Sequence, residues 1–236
     1  MTAQLPLGLA FEVNFTFDNF LLTNGNNKTR LAHAGLVQLA DANPAEPLAP
    51  VVLWGQSGGG KTHLLQACCQ QAADNGLSLA YLPLDQLQQL GPGVLENQEQ
   101  QDLICIDQLE VVQSQPEWES ALFTLFNRVR ERQSRLLVAG RNPPSAATRD
   151  DLSSRLAWGI TIELPATEDE NKAQILQQRA NTLGLELADE ATSYLLQRAP
   201  RGMHELMALL NQLDQASLAS QRRLTVPLIR EVLAST

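Results

Sequence analysis

Val51-Val52-Leu53-Trp54-Gly55-Gln56-Ser57-Gly58-Gly59-Gly60-Lys61-Thr62-His63-Leu64-Leu65-Gln66-Ala67-Cys68-Cys69 is the stretch that decides the fold. Four apolar residues predict a buried strand, the glycines a turn, and Lys61 onward a helix. The turn fits G-x-x-x-x-G-K-[ST], the pattern whose backbone cradles phosphates. Gly58, Gly59 and Gly60 are expected to take φ > 0, where a Cβ would clash. Successive N–H groups then point inward as an anion nest, and the helix N-terminus adds its partial positive charge. Lys61 supplies a cation for a β- or γ-phosphate, and Thr62 a hydroxyl for Mg²⁺. Gly55, Gln56, Ser57 and His63 belong to the same expected cradle.

Four more short apolar runs follow: Leu79–Pro83, Leu103–Asp107, Arg135–Gly140 and Ile160–Leu164. Runs without alternation suit strands buried on both faces. Helical periods lie between several of them, as in Trp118–Glu131 through Ala121, Leu122, Leu125, Phe126 and Val129. Strands alternating with helices predict an α/β fold with a five-stranded, doubly wound parallel sheet. Ahead of the P-loop strand, Thr29–Asp41 reads as an amphipathic helix with Leu31, Ala34, Leu36, Val37 and Leu39 on its apolar side. From Thr167 the alternation stops. Thr167-Glu168-Asp169-Glu170 reads as a capping box with Thr167 at the N-cap, and helices are expected to about Leu183, over Asp189–Arg198 and from Gly202 to about Gln221. A last short helix follows Thr225, with Pro227 in its first turn. The expected division is 1–12 as a terminal peptide, 13–166 as the α/β domain and 167–236 as a small all-helical domain.

The totals narrow the function. With 236 residues, 44% of them hydrophobic and 5% aromatic, the chain has the composition of a soluble protein with a sizeable core. No run reaches membrane-span length and no cleavable leader opens the chain, so a cytoplasmic protein with no membrane partner is expected. Cys68, Cys69 and Cys105 read as reduced core thiols. A net charge of −9 argues against non-specific nucleic-acid binding and favours a protein or small-molecule partner.

Asp107 closes an apolar strand, where a carboxylate would hold Mg²⁺. The next residue, Gln108, can hold a water but cannot take its proton, so slow turnover is expected. Glu110 stands two residues further on. Arg155, in Asp151-Leu152-Ser153-Ser154-Arg155-Leu156, is a cation able to reach a γ-phosphate on a neighbouring molecule. Arg201 and His204 open a helix of the second domain and are candidates for phosphate sensing. At the other end, Gln4-Leu5-Pro6-Leu7-Gly8-Leu9 is an extended segment by its Pro and Gly, with Leu5, Leu7 and Leu9 on one side. It reads either as an edge strand or as a peptide that docks in another protein's groove.

Together these residues resemble the AAA+ ATPases, and within them the family of the bacterial replication initiator DnaA and its short relative Hda. Phe15-Thr16-Phe17-Asp18-Asn19-Phe20 is similar to the segment opening the DnaA nucleotide domain. The P-loop, the Asp107 strand, the Asn142-Pro143-Pro144 turn and the Arg155 box follow in the family's order. The resemblance implies an AAA+ fold with a helical lid. It implies ADP, or another nucleoside diphosphate, with Mg²⁺ as cofactors, held by Gly55 to His63, Asp107, Asn142, Arg201 and His204, with Phe20 near the base. Gln4, Leu5, Leu7 and Leu9 would enter a pocket of the β sliding clamp of DNA polymerase III, with DNA met only through the clamp. Arg155 would act as an arginine finger on ATP bound to DnaA, stimulating its hydrolysis and preventing re-initiation. Nothing after Thr236 resembles DnaA's DNA-binding domain, and assembly with further copies of the chain stays open. Two positions depart from the family. Its sensor-1 polar residue aligns with Arg141, or with Asn142 if the loop shifts by one. Its sensor-2 arginine is replaced by His204, with Arg201 one helical turn away. The alternatives are an autonomous AAA+ ATPase of the helicase-loader type and a small-molecule kinase on a P-loop fold. Gln108, His204 and the clamp-type peptide favour the adaptor over the first. The helical second domain and the Arg155 box count against the second.

Overall fold

A computed structural model of the chain describes residues 15–22, 27–42, 49–146, 149–199, 202–220 and 223–235. Two compact units divide it, residues 1–165 and 166–236. The terminal peptide with Gln4, Leu5, Leu7 and Leu9, and Arg201, lie outside the described residues.

The first unit runs α1 (Asn27–Leu39), β1 (Val51–Trp54), α2 (Lys61–Asp74), β2 (Leu79–Pro83), α3 (Leu84–Leu87), β3 (Leu103–Asp107), α4 (Pro116–Arg132), β4 (Arg135–Gly140), α5 (Asp150–Ala157) and β5 (Ile160–Glu163). Short 3-10 turns fill the links, among them Leu109–Val111 directly after β3. The sheet order is β2-β3-β4-β1-β5, and all pairs are parallel. Side chains of a strand alternate between faces, so β1 to β4 each feed two cores, whereas the edge strand β5 leaves Ile160 and Thr161 exposed and buries Ile162 on one face only, against the expectation for that run. Val52, Ala80, Leu82, Ile104, Ile106, Leu136 and Val138 pack on one face with α4 and α5. Val51, Leu53, Leu79, Tyr81, Leu103, Cys105, Leu137 and Ala139 pack on the other with α1 and α2. That double burial is why the strands read as unbroken apolar runs. It also places the C-terminal ends of β1, β3 and β4 side by side, with the P-loop and Asp107 at that edge.

Two further sequence expectations need correction here. Helix α1 buries Ala32, Leu36 and Leu39, whereas Leu31 and Val37 are 61% and 42% exposed and Ala34 is exposed. At 3.6 residues per turn, Leu31 and Val37 fall away from the 32/36/39 seam. A small residue, Ala32, marks the seam where the helix lies close to its neighbours. The three cysteines are buried and free, as expected.

The second unit is α6 (Asp169–Thr182), α7 (Asp189–Arg198), α8 (Met203–Ser220) and α9 (Val226–Ser235) around Leu176, Ala180, Leu195, Leu206, Leu210, Leu213 and Ile229. The second correction falls here: the α6 N-cap is Glu168, not Thr167, and no side-chain cap bond is made there. The helix therefore starts one residue later than a capping box would place it. Pro227 sits in the first turn of α9, where its missing N–H leaves no bond unmade. Among the described residues, no helix is long and apolar enough to cross a membrane.

Candidate nucleotide site

The P-loop leaves β1 at Gly55 and enters α2 at Lys61. Gly55, Gly58 and Gly60 take φ of 142°, 83° and 81°. Gly59 does not share the positive φ expected of it. It is needed for a close approach instead, since a Cβ there would lie 2.8 Å from the Pro165 carbonyl oxygen. At Gly60 both constraints meet, because a Cβ would also lie 2.7 Å from Phe20 Cε2. Gly60 is the N-cap of α2, no side chain caps that helix, and no acid lies in its first turn. The first N–H groups of α2 are thus left for an anionic ligand.

Lys61 is half-buried, and its Nζ donates to the carbonyls of Gly55 at 2.7 Å and Gln56 at 2.9 Å. Burial pushes the ammonium pKa down, opposed by the charges of Glu110 and then Asp107. Asp107 is only 2% exposed at the end of β3. Its carboxylate accepts from the Thr62 hydroxyl and from the Gln108 N–H, the latter at 2.9 Å, and from the Tyr81 hydroxyl at 3.4 Å. Gln66 in turn donates to Tyr81 Oη at 3.1 Å. Burial, ahead of these bonds, raises the Asp107 pKa to about 6. The structure therefore joins the two residues expected to hold Mg²⁺, Thr62 and Asp107, in one hydrogen-bonded pair. Among the described residues, no cluster of three His, Cys, Asp or Glu side chains forms a metal cage. One hydroxyl and one buried carboxylate beside an anion nest fit Mg²⁺ carried in by phosphates, the usual arrangement for that ion.

His63 turns from the phosphate cradle to the aromatic segment. Its Nε2 lies 3.0 Å from the Thr16 carbonyl oxygen, and its ring stacks on Phe15 at 4.6 Å and meets Phe20 edge-on at 5.1 Å. Phe20 thus touches Gly60 and His63 at the start of α2. Asn142 donates to Gln113 Oε1 at 2.8 Å, whereas Arg141 reaches the P-loop, with one guanidinium nitrogen 3.3 Å from Ser57 Oγ. Of the two sensor-1 candidates, Arg141 is the one beside the phosphate cradle.

The turn after Asp107 gives an arrangement the sequence left undecided. Gln108 has φ 58°, the left-handed region. Its amide nitrogen, oriented towards the neighbouring carboxylate, donates to Asp85 Oδ1 at 2.8 Å and Oδ2 at 3.0 Å. The chain then doubles back, and Glu110 Oε2 accepts the Arg141 N–H at 2.9 Å, above the end of β4.

Arg155 lies on α5, half-buried, with its guanidinium 5.9 Å from the Phe123 ring centroid. Arg149, 5.4 Å from the same ring, is held by a two-pronged pair with Asp151. Arg155 has no carboxylate partner among the described residues, and it lines a cavity of about 260 Å³ with Phe126, Val129, Leu156 and Trp158. His204 lies in the first turn of α8.

A family model described as the bacterial DnaA ATPase domain matches residues 11–163. The chain belongs to the bacterial DnaA ATPase family. A second model, described as the lid domain of Hda, matches residues 169–233, the helical unit. It is thus a DnaA-related AAA+ protein of the Hda kind, with an α/β AAA+ fold and a helical lid. Solved structures agree in fold. Domain III of the Thermotoga maritima initiator DnaA superposes with a TM-score of 0.77 at 19% identity, over 96% of this chain and 98% of that one. AMPPCP-bound DnaA from Aquifex aeolicus gives 0.64 at 22%, over 84% of this chain and 64% of that one. The Holliday junction branch migration motor RuvB of Thermotoga maritima gives 0.63 at 18%, over 89% of this chain and 69% of that one.

Proposed function

We propose that the chain is a nucleotide-bound regulator of replication initiation that supplies Arg155 to ATP held by DnaA. In this reading ADP with Mg²⁺ occupies the cradle of Gly55 to Thr62 and Asp107. Gln4, Leu5, Leu7 and Leu9 dock on the DNA-loaded sliding clamp in the cytoplasm, and Arg155 completes the partner's active site in trans. Hydrolysis of the partner's ATP then ends its competence to initiate. An arginine placed against developing negative charge is the kind of group that accelerates phosphoryl transfer by about 1,000-fold or more.

The observation that carries the reading is the state of Arg155. It sits on a helix of its own, without a carboxylate among the described residues, while the nearby Arg149 is committed to Asp151. A finger must arrive unpaired, because a cation already neutralised would lose that partner before it could serve a phosphate. The lid of the Hda kind supports the regulator over a small-molecule kinase.

The test is phosphate release with the chain, ATP-loaded DnaA and DNA-loaded clamp, singly and together. Release above the sum of the parts is expected only in the full mixture, and Arg155→Ala or Gln4→Ala abolishes it. Full stimulation by Arg155→Ala refutes the finger. Stimulation independent of clamp and of Gln4 refutes the docking step.

A further inference from the structure

The proposed function leaves one acidic group at the cradle without a task. Glu110 belongs to the 3-10 turn Leu109–Val111, which the left-handed Gln108 directs back over the sheet. Its Oε2 is fixed by the Arg141 N–H at 2.9 Å. No second hydrogen bond to its carboxylate is made among the described residues. Three features locate the group. It lies 3.5 Å from where a Cβ on Gly140 would stand, and Gly140 pairs with the end of β1 and accepts the Gly55 N–H. Its charge acts on Lys61 more strongly than that of Asp107, and also on Asp107 itself. Arg141, whose backbone holds it, reaches across to Ser57. A phosphate group beyond the one nearest Lys61 would thus face Arg141 and Glu110. The residue next to Asp107 is not available for the same post, because the Gln108 amide is turned onto Asp85.

We infer that Glu110 is the carboxylate that orients the attacking water at this chain's own P-loop, so that a bound nucleoside triphosphate is converted slowly to the diphosphate. The inference rests on the nucleotide-binding part of the proposed function and adds how the diphosphate state arises. The water oxygen bonds to the γ-phosphorus while the bond from that phosphorus to the β–γ bridging oxygen breaks. The bridging oxygen leaves with the electron pair on the diphosphate. The proton of the water passes to Glu110 and from there to the released phosphate. A carboxylate can take that proton, which the Gln108 amide cannot. One oxygen held by a backbone donor and one left for water is the geometry such a role requires.

The experiment compares wild type, Glu110→Gln and Gln108→Gly, each purified without added nucleotide and without any partner. Bound nucleotide is released by denaturation and identified by chromatography, and single-turnover decay of loaded ATP is followed in parallel. Wild type is expected to carry ADP and Glu110→Gln to carry ATP, with decay slowed about 100-fold. A non-hydrolysable triphosphate should bind Glu110→Gln more tightly relative to ADP than it binds wild type, because a like charge has left the γ-phosphate side. Gln keeps an oxygen for the Arg141 N–H. Should that variant still fail to fold, Gln108→Gly decides. Glycine keeps the left-handed turn and removes the amide, so decay should be unchanged, and a slowing of about 100-fold would overturn the placement. Wild type carrying ATP, or Glu110→Gln carrying ADP with unchanged decay, would also overturn it. Every measurement is made on the chain alone, so loss of DnaA stimulation and loss of this inference are separate results.

Discussion

Replacing Asp107 by Asn should stabilise the empty protein at pH 8 and stop doing so in acid. The carboxyl is 2% exposed and its pKa is raised from 3.8 to about 6, chiefly by burial. Above that value the fold holds a charge it would rather not have. The gap corresponds to about 3 kcal/mol at 1.36 kcal/mol per pKa unit. The sign follows from proton counting. Between 3.8 and about 6 the folded state binds more protons than the unfolded one, so stability falls as pH rises and the cost is complete above 6. Asn removes that cost but brings an NH₂ towards donors that served the acid. With its oxygen kept on the Gln108 N–H, its nitrogen faces Tyr81, whose hydroxyl must turn to accept it. The mismatch costs about 1 kcal/mol. Asp107→Asn should therefore gain about 2 kcal/mol at pH 8 and lose about 1 kcal/mol near pH 3, below the unfolded pKa. Urea unfolding in EDTA, without nucleotide, measures this. Trp54, Trp118 and Trp158 all lie in the α/β unit, so tryptophan fluorescence reports that unit. Adding Mg²⁺ and ADP should reverse the order at pH 8, since only the acid gains the ligand's stabilisation. An equal shift at both pH values would refute the reasoning, because burial of charge would then not be the cost removed.

Two further predictions concern the packing. Leu36→Ala in α1, where Leu36 is fully buried, should cost about 2–5 kcal/mol, whereas Leu31→Ser, at a residue 61% exposed, should change stability by less than about 0.5 kcal/mol. Thermal midpoints of the two variants check the corrected helix face. Cys68, Cys69 and Cys105 are buried, and burial raises the thiol pKa of Cys69 and Cys105, so a thiol-specific dye should label none of the three in the native protein at neutral pH and all three in urea. Rapid labelling of the native protein would contradict the packing around them.

The strands were legible because parallel strands with two buried faces leave short unbroken apolar runs. Leu103–Asp107 and Arg135–Gly140 match residue for residue. The P-loop was legible because its glycines and Lys61 answer to the chemistry of one ligand. What sequence could not settle were local choices decided by tertiary neighbours. The face of α1 depends on Ala32 fitting close to the sheet, and a period alone favours the larger Leu31 and Val37. The α6 cap shifts by one residue where several polar candidates stand in a row. The turning of Gln108 onto Asp85 and of Glu110 onto the Arg141 N–H depends on one left-handed residue, a conformation glutamine seldom takes and composition does not announce. Asp85 was the available signal, since it offers the Gln108 amide a partner, but it lies in α3, after another strand, and only the fold brings the two together. Arg141 and Asn142 are adjacent in sequence, and only the course of the loop sends one to Ser57 and the other to Gln113.

The stacking of Phe15 on His63 sets a leash. Phe15 is pinned at the first turn of α2, and its sequence neighbour on the proposed clamp peptide is Leu9, about six residues away. A chain of that length spans about 20 Å even when drawn out fully. If the sliding clamp grips that peptide as proposed, it would be tethered within about that radius of the phosphate cradle, and the nucleotide and the rim of the clamp would be near neighbours. Lengthening the leash by inserted glycine and serine should then leave the grip intact while loosening the coupling between the two.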